Sequence, residues 1–253
     1  MSLVKISNLS FSYDNLKSKS QQKNKERLVL DALSLQIDKN ETVGIIGRNG
    51  IGKSTLLKLL VGIERTTDDK SLLLFDMPVT KKNIQEIRKR TGYVFQDSES
   101  QLFMSTVYED VAFGPVNYGY TGGEVEERTR NALEKVHMEA FAEKRIYQLS
   151  GGEKKLASIA TVLPMEPELI LLDEPSVALD PQNRRNLIHV LNEIQTTKII
   201  ASHDLDFVYD TCERTILLNQ GKIAADGTTK EILRNKTLLE KNGLELPLSF
   251  SRI

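Results

Sequence analysis

Apolar and polar positions divide the chain into short runs that predict alternating strands and helices. Val4 to Phe11 reads as a strand. Arg27 to Ile37 alternates Leu28, Leu30, Leu33, Leu35 and Ile37 less regularly, as one or two strands broken near Asp31. Together they predict an antiparallel β-layer, and the polar, lysine-rich stretch from Asn15 to Glu26 between them reads as a solvated loop. Thr42 to Ile46 is the unbroken apolar run of a buried parallel strand. Ser54 to Val61 carries Leu56, Leu57, Leu59 and Leu60 ahead of Gly62, a helix with a glycine stop. Leu72 to Phe75 is a further strand, turning at Asp76-Met77-Pro78; Ile84 to Arg90 is a short helix, and Gly92 to Gln96 returns to strand.

Asp97 to Thr106 is polar and loop-like, yet holds Leu102, Phe103 and Met104. Such a triplet is either a plug packed beneath its neighbours or an anchor for a partner helix. Val107 to Tyr147 is mostly helical, with Gly114-Pro115 and Gly119 to Gly123 as breaks and Glu124 to Val136 as the clearest helix. Leu149 to Pro164 reads as one helix, with Ser150 and Glu153 at capping-box spacing. Leu169 to Leu172 is a buried strand, and Asp180-Pro181 opens a helix with aspartate as N-cap and proline first inside. Lys198 to Ala201 and Thr215 to Leu218 are strands, Gln220-Gly221 turns towards Lys222 to Ala224, and Thr228 to Asn235 is a short helix; Leu244 to Ile253 shows no clear period. The class is α/β with a mixed sheet. A single domain, 1–253, is expected, with a core of 1–96 and 151–253 and an inserted helical subdomain over 97–150.

Composition narrows the partners. A net charge of −1 and a pI near 6.4 give no electrostatic case for nucleic acid. No apolar run approaches the about 18 residues that span a bilayer, and the start, Met1-Ser2-Leu3-Val4-Lys5, is not a signal peptide. The lone Cys212 excludes an internal disulfide, fits a reducing compartment and reads as a small core residue.

The chemistry starts at Gly47-Arg48-Asn49-Gly50-Ile51-Gly52-Lys53-Ser54-Thr55, which matches the phosphate-loop pattern at Gly47, Gly52, Lys53 and Ser54. It lies between a strand and a helix start, where unpaired N–H groups and the helix dipole favour an anion. Lys53 can meet terminal phosphates and Ser54 can ligate Mg²⁺. The bland alternative is a glycine-rich turn with an exposed lysine. Gly151 and Gly152 in a first helical turn suggest close approach of something to the backbone, such as a phosphate.

Asp173 and Glu174 end a strand where ligands of open α/β sheets bind; Asp173 can hold Mg²⁺ and Glu174 can deprotonate an attacking water. Paired acids there are otherwise caps. Gln96 ends another strand and His203 follows one; Gln96 can reach metal or water and His203 the γ-phosphate or the attacking water, whereas His137 and His189 read as structural or surface. Tyr13 can stack on adenine or simply sit on an edge strand.

In this order the motifs resemble the nucleotide-binding subunit of an ABC transporter over nearly the whole chain. Gly47 to Thr55 resembles the Walker A loop, Leu169 to Glu174 the Walker B strand with its catalytic glutamate, and Leu149 to Glu153 the signature. Gln96 resembles the Q-loop, Ala178-Leu179-Asp180 the D-loop, His203 the switch histidine and Tyr13 the adenine-stacking aromatic. Phe95 to Pro115, through Gln101-Leu102-Phe103, Thr106-Val107 and Val111 to Pro115, is similar to ATPases of energy-coupling-factor importers for cobalt, nickel or vitamins. Ser98, Leu156 and Pro164 depart from the usual proline, arginine or glutamine, and alanine.

The resemblance implies ATP and Mg²⁺, with Glu174, His203 and Gln96 catalytic and Ser54, Gln96 and Asp173 on the metal. Nucleotide would meet Tyr13, the loop residues 47–55, and Ser150, Gly151, Gly152 and Glu153 in trans. It implies a homodimer or heterodimer with a homologous ATPase, and an integral membrane subunit at the cytoplasmic face of the membrane. Rivals are another ABC branch, such as lipoprotein release or drug export, a non-transport ABC ATPase, and a regulator that binds nucleotide without hydrolysing it. Phe95 to Pro115 argues against the first, the chain length against the second, and Glu174 with His203 against the third.

Overall fold

The computed structural model describes residues 2–13, 28–66 and 68–250. The expected lysine-rich loop, Asn15 to Glu26, lies outside them. The described residues of 1–88 and 199–253 form one compact unit, and 89–198 form a second.

In the first unit, strand β1 (Ser2–Phe11) pairs antiparallel with β2 (Leu30–Asp38) and β4 (Leu72–Leu74), and β5 (Met77–Pro78) completes a sheet ordered β2-β1-β4-β5. The irregularity expected near Asp31 does not break β2. It is absorbed by left-handed backbone at Ala32 (φ 51°) and Asn8 (φ 54°), beside register shifts in the β1–β2 ladder. The next turn sits one residue earlier than expected. Phe75 and Asp76 both have positive φ, 54° and 60°, and Met77-Pro78 belongs to the strand. An edge strand tolerates that proline, which donates nothing to the ladder.

A second layer in this unit runs β10-β9-β3-β8, with β3 (Thr42–Ile46), β8 (Thr197–Ala201), β9 (Arg214–Asn219) and β10 (Lys222–Thr228). β3 and β9 are parallel, β9 and β10 antiparallel, so the sheet is mixed as expected. The hairpin turns at Gln220 and Gly221, φ 50° and 76°, whose twist suits the flanking strands. β3 is buried throughout, as its unbroken apolar run requires. Helix α1 (Lys53–Leu60) buries Leu56, Leu57, Leu59 and Leu60 and stops at Gly62, φ 63°. After α2 (Ile84–Lys89), the remaining helices of this unit are α7 (Leu205–Thr211), α8 (Thr229–Arg234) and α9 (Lys236–Lys241). Gly44 leaves room for α7: a Cβ there would stand 2.6 Å from Val208 Cγ1, with Cys212 Sγ at 3.2 Å in the core.

In the second unit β6 (Thr91–Val94) and β7 (Leu169–Asp173) are parallel. The helices are α3 (Val107–Asn117), α4 (Gly122–Lys135), α5 (Gly151–Ala160) and α6 (Pro181–Glu193). β6 ends two residues before the expected Gln96, and three helix boundaries also differ from expectation. α3 runs through Gly114-Pro115: Pro115 is buried in the last turn, where one N–H is forfeited, and Tyr118 N–H still reaches the Gly114 carbonyl at 3.1 Å. α4 starts at Gly122, because Thr121 and Glu124 form a capping box just ahead of the glycines. α5 stops at Ala160 instead of Pro164; a proline disfavours helical backbone at the residue before it, and Leu163–Met165 forms a separate 3₁₀ turn. The architecture is the α/β fold of P-loop nucleotide hydrolases, with a mixed sheet, an N-terminal antiparallel sheet and an inserted helical subdomain.

Candidate nucleotide site

In the first unit, β3 hands the chain to a loop whose glycines stand where other residues are strained: Gly47 at φ 151°, Gly50 at 76° and Gly52 at 112°. Gly52 directly precedes α1, whose first turn carries no acidic residue to compete with an anion. Lys53 is buried, and its ammonium folds back to donate to the Gly47 carbonyl at 2.9 Å. The exposed stretch Arg48-Asn49-Gly50 forms the lip, and a Cβ on Gly50 would meet nothing within 4 Å. Ile51 and, at the helix start, Ser54 are half-buried.

Tyr13 reaches this loop from the end of β1: its hydroxyl lies 3.1 Å from Thr55 Oγ1, and its ring stands edge-on to Phe11. His203 is exposed just beyond β8. The preceding Ser202 N–H donates to the Ile45 carbonyl at 3.0 Å, so His203 follows at the strand end from which the loop departs. Asp204 then caps α7 through Phe207 N–H.

In the second unit, Asp173 ends β7 almost fully buried and accepts a 3.2 Å hydrogen bond from the Tyr93 hydroxyl on β6. Glu174 is also buried and holds φ 46°, a conformation that costs a non-glycine residue free energy and recurs at functional sites. Gln96 lies exposed beyond β6. Its carbonyl and that of Phe95 accept from the Lys155 ammonium at 2.8 and 3.0 Å. Burial pushes Lys155 down to about 8, against the pull of Asp97 and Asp173.

The signature-like turn is a complete capping box. Ser150 Oγ accepts from Glu153 N–H at 3.3 Å, and the Glu153 carboxylate accepts from Ser150 N–H at 2.6 Å, which holds that carboxyl below its usual range. The two glycines differ. A Cβ on Gly151 would face open space, whereas one on Gly152 would stand 2.2 Å from Asn183 Cγ. Gly152 therefore makes room for α6, whose Asp180 cap binds the Asn183 side chain and the N–H groups of Gln182 and Asn183. Close approach by a ligand is left to Gly151 alone.

Two neighbours escaped the sequence reading. Tyr93 and Lys155 touch the acid and the glutamine singled out there. Lys155 carried a signal, since it shares a helical face with Gly152 and Ile159, both buried. His137 is exposed, 3.5 Å from the exposed Glu193, and His189 is exposed, in keeping with a surface reading. Among the described residues no three His, Cys, Asp or Glu side chains cluster as a metal site.

The ABC transporter family matches residues 30–177. A Geobacter sulfurreducens protein of the ABC transporter ATP-binding class is 47% identical over 87% of this chain and 88% of its own. An energy-coupling factor transporter ATP-binding protein, EcfA, of Carboxydothermus hydrogenoformans is 41% identical over 97% of this chain and 87% of its own. The solved structure of CbiO1 from Clostridium perfringens, part of the ABC transporter complex cbiONQ, superposes with a TM-score of 0.82 at 33% identity, covering 95% of this chain and 94% of that one. The phosphate loop after β3, the acids ending β7 and the capped turn of α5 thus lie in a chain that belongs to the ABC transporter ATP-binding subunits, an ABC-type ATPase homologous to those of energy-coupling-factor transporters.

Proposed function

We propose that this ATPase powers an energy-coupling-factor importer of cobalt, nickel or a vitamin, working in a pair at the cytoplasmic face of a membrane. The observation that carries the chemistry is the loop itself: three left-handed glycines open a helix start, and a buried lysine folds back onto it to donate to the Gly47 carbonyl, a bond it can exchange for phosphate oxygens. Lys53 binds the terminal phosphates and Tyr13 stacks on adenine. Ser54, Gln96 and Asp173 offer oxygen donors, a set that suits Mg²⁺. Magnesium bound there offsets the charge of the phosphates. Glu174 takes the proton of the attacking water and His203 orients the γ-phosphate.

Ser150 to Glu153 would close on the partner's nucleotide, with Gly151 as the point of approach. The importer class is supported by the likeness to EcfA and CbiO1 and by Phe95 to Pro115. Leu102 is a buried plug, while Phe103 is 64% exposed and packs edge-on against Phe113. Beside them a cavity of about 570 Å³, lined by Leu102, Met104, Ile146 and Tyr147, is a suitable seat for a short helix of the membrane subunit.

Glu174→Gln tests the chemistry. ATP binding should persist while turnover falls by about 10²–10⁴-fold, as for loss of a general base. Normal turnover in that variant would remove Glu174 from its role. Met104→Ala, at the cavity wall, should weaken co-purification with the membrane subunit and leave ATP affinity unchanged; unaltered co-purification would move the seat elsewhere.

A further inference from the structure

Gln96 owes its place to another element. Phe95 N–H donates to Gln101 Oε1 at 3.0 Å, and the carbonyls of Phe95 and Gln96 both accept from Lys155. Gln101 turns its other end to α5, donating to the Ser158 carbonyl at 2.7 Å and to Thr161 Oγ1 at 2.8 Å. Three backbone groups of two successive residues are thus tied to one helix by two side chains. Lys155 is 3% exposed, so its ammonium gains little from water and is committed to those carbonyls. Its neighbour Lys154 pairs instead with Glu99 at the surface. A surface lysine would swing freely; this one is a strut.

We infer that Lys155 and Gln101 are positioning residues for Gln96, locking it to the helix that begins with Ser150 to Glu153 so that the two move as one piece. The inference rests on the proposed roles of those two regions. If the turn meets the partner's nucleotide and Gln96 attends the chain's own, the strut carries news of one site to the other. A pair of such chains then hydrolyses ATP cooperatively, and loss of the strut uncouples its sites.

The test is steady-state ATP hydrolysis by the full-length chain at concentrations where it pairs. Lys155→Met keeps the bulk and removes the donor. Its kcat should fall by about 10²-fold through misplacement of Gln96. KM should stay within about threefold, because the phosphate loop is untouched. The Hill coefficient should drop to one. In a Gln96→Ala background Lys155→Met should cost nothing more, since the residue acts through Gln96. A wild-type kcat in Lys155→Met, or losses that multiply with Gln96→Ala, would overturn the inference. Should Lys155→Met fail to fold, Gln101→Met enters the same cycle, with a smaller fall in kcat expected and an unchanged kcat overturning it. Wild-type protein that hydrolyses no ATP would refute the proposed function, and the strut with it. Hydrolysis abolished by Glu174→Gln but untouched by Lys155→Met refutes the strut alone.

Discussion

The phosphate loop and the segment from Phe95 to Met104 are held in opposite ways. The loop shapes itself: Gly47, Gly50 and Gly52 supply left-handed backbone within a few residues of one another, and Lys53 bonds back to Gly47. The segment borrows its shape. Lys155 and Gln101 hold Phe95 and Gln96, and the buried Asp110 carboxylate accepts from the N–H groups of Phe103 and Met104, both at 3.1 Å. A self-shaped loop is vulnerable to any added Cβ. A borrowed shape tolerates backbone-neutral changes but fails when one distant polar atom is lost.

The largest effect is expected at Lys53. Lys53→Ala removes charge-assisted bonds to phosphate and should weaken ATP binding by about 10–100-fold, read by calorimetric titration. An unchanged affinity would deny the loop its ligand. Next comes Gly52→Ala. At φ 112° its Cβ would stand 3.1 Å from the Val29 carbonyl oxygen and the Leu30 side chain, and strain of about 1–3 kcal/mol should lower the melting temperature.

Asp110 probes the borrowed shape. Burial raises its carboxyl above the usual 3.8, and the Phe103 and Met104 N–H groups offset this only in part. The native state therefore binds the proton more tightly than the unfolded chain. The stability it contributes is fully present below 3.8 and is lost as pH rises through the raised native value. Asp97, Glu124, Glu153 and Asp180 are shifted the other way and gain stability as pH rises, so melting curves across that window should climb less steeply in wild type than in Asp110→Asn; identical slopes would remove Asp110 as a contributor. Asp110→Ala should cost about 1–3 kcal/mol by stranding two N–H groups. The smallest effect is at Gly151, where a Cβ meets nothing: Gly151→Ala should leave the melting temperature unchanged or raise it, by at most about 1 kcal/mol of stability. A marked loss would mean the turn is strained after all.

Features written in neighbouring residues were legible in the sequence. β3, the loop and α1 follow from an apolar run, spaced glycines and a leucine stripe. The Ser150–Glu153 box and the Asp180-Pro181 start each satisfy their N–H groups within three residues. What was hidden depends on tertiary surroundings. Pro115 reads as a breaker, yet it is buried in α3 because only one bond is lost there. α9 buries only Leu239, too little to set a period, and stands on the Asn235 cap. The backbone of Glu174 gives no sequence signal at all. Gly152 reads as a site for phosphate, and only the packing of Asn183 explains it. Lys155 shows on the helical stripe, but its acceptors lie on a segment far away in the chain.

The flanks of β3 govern the order in which the protein can be built. Its neighbours are β9 and β8, encoded at or beyond the end of the second unit. While a ribosome is still making that unit, the run from Val43 to Ile46 has neither strand partner, although the phosphate loop has already emerged. Such pairing closes a long loop, and long-range parallel pairing is slow. The nascent chain therefore carries an unpaired apolar strand beside an unsupported loop until Thr197 to Ala201 arrive, and one open edge until Arg214 to Asn219 follow, a stretch that a holding chaperone would recognise. A chain released before Arg214 would keep every residue of the nine-residue loop and lack the strand that pairs with Val43 through Ile46.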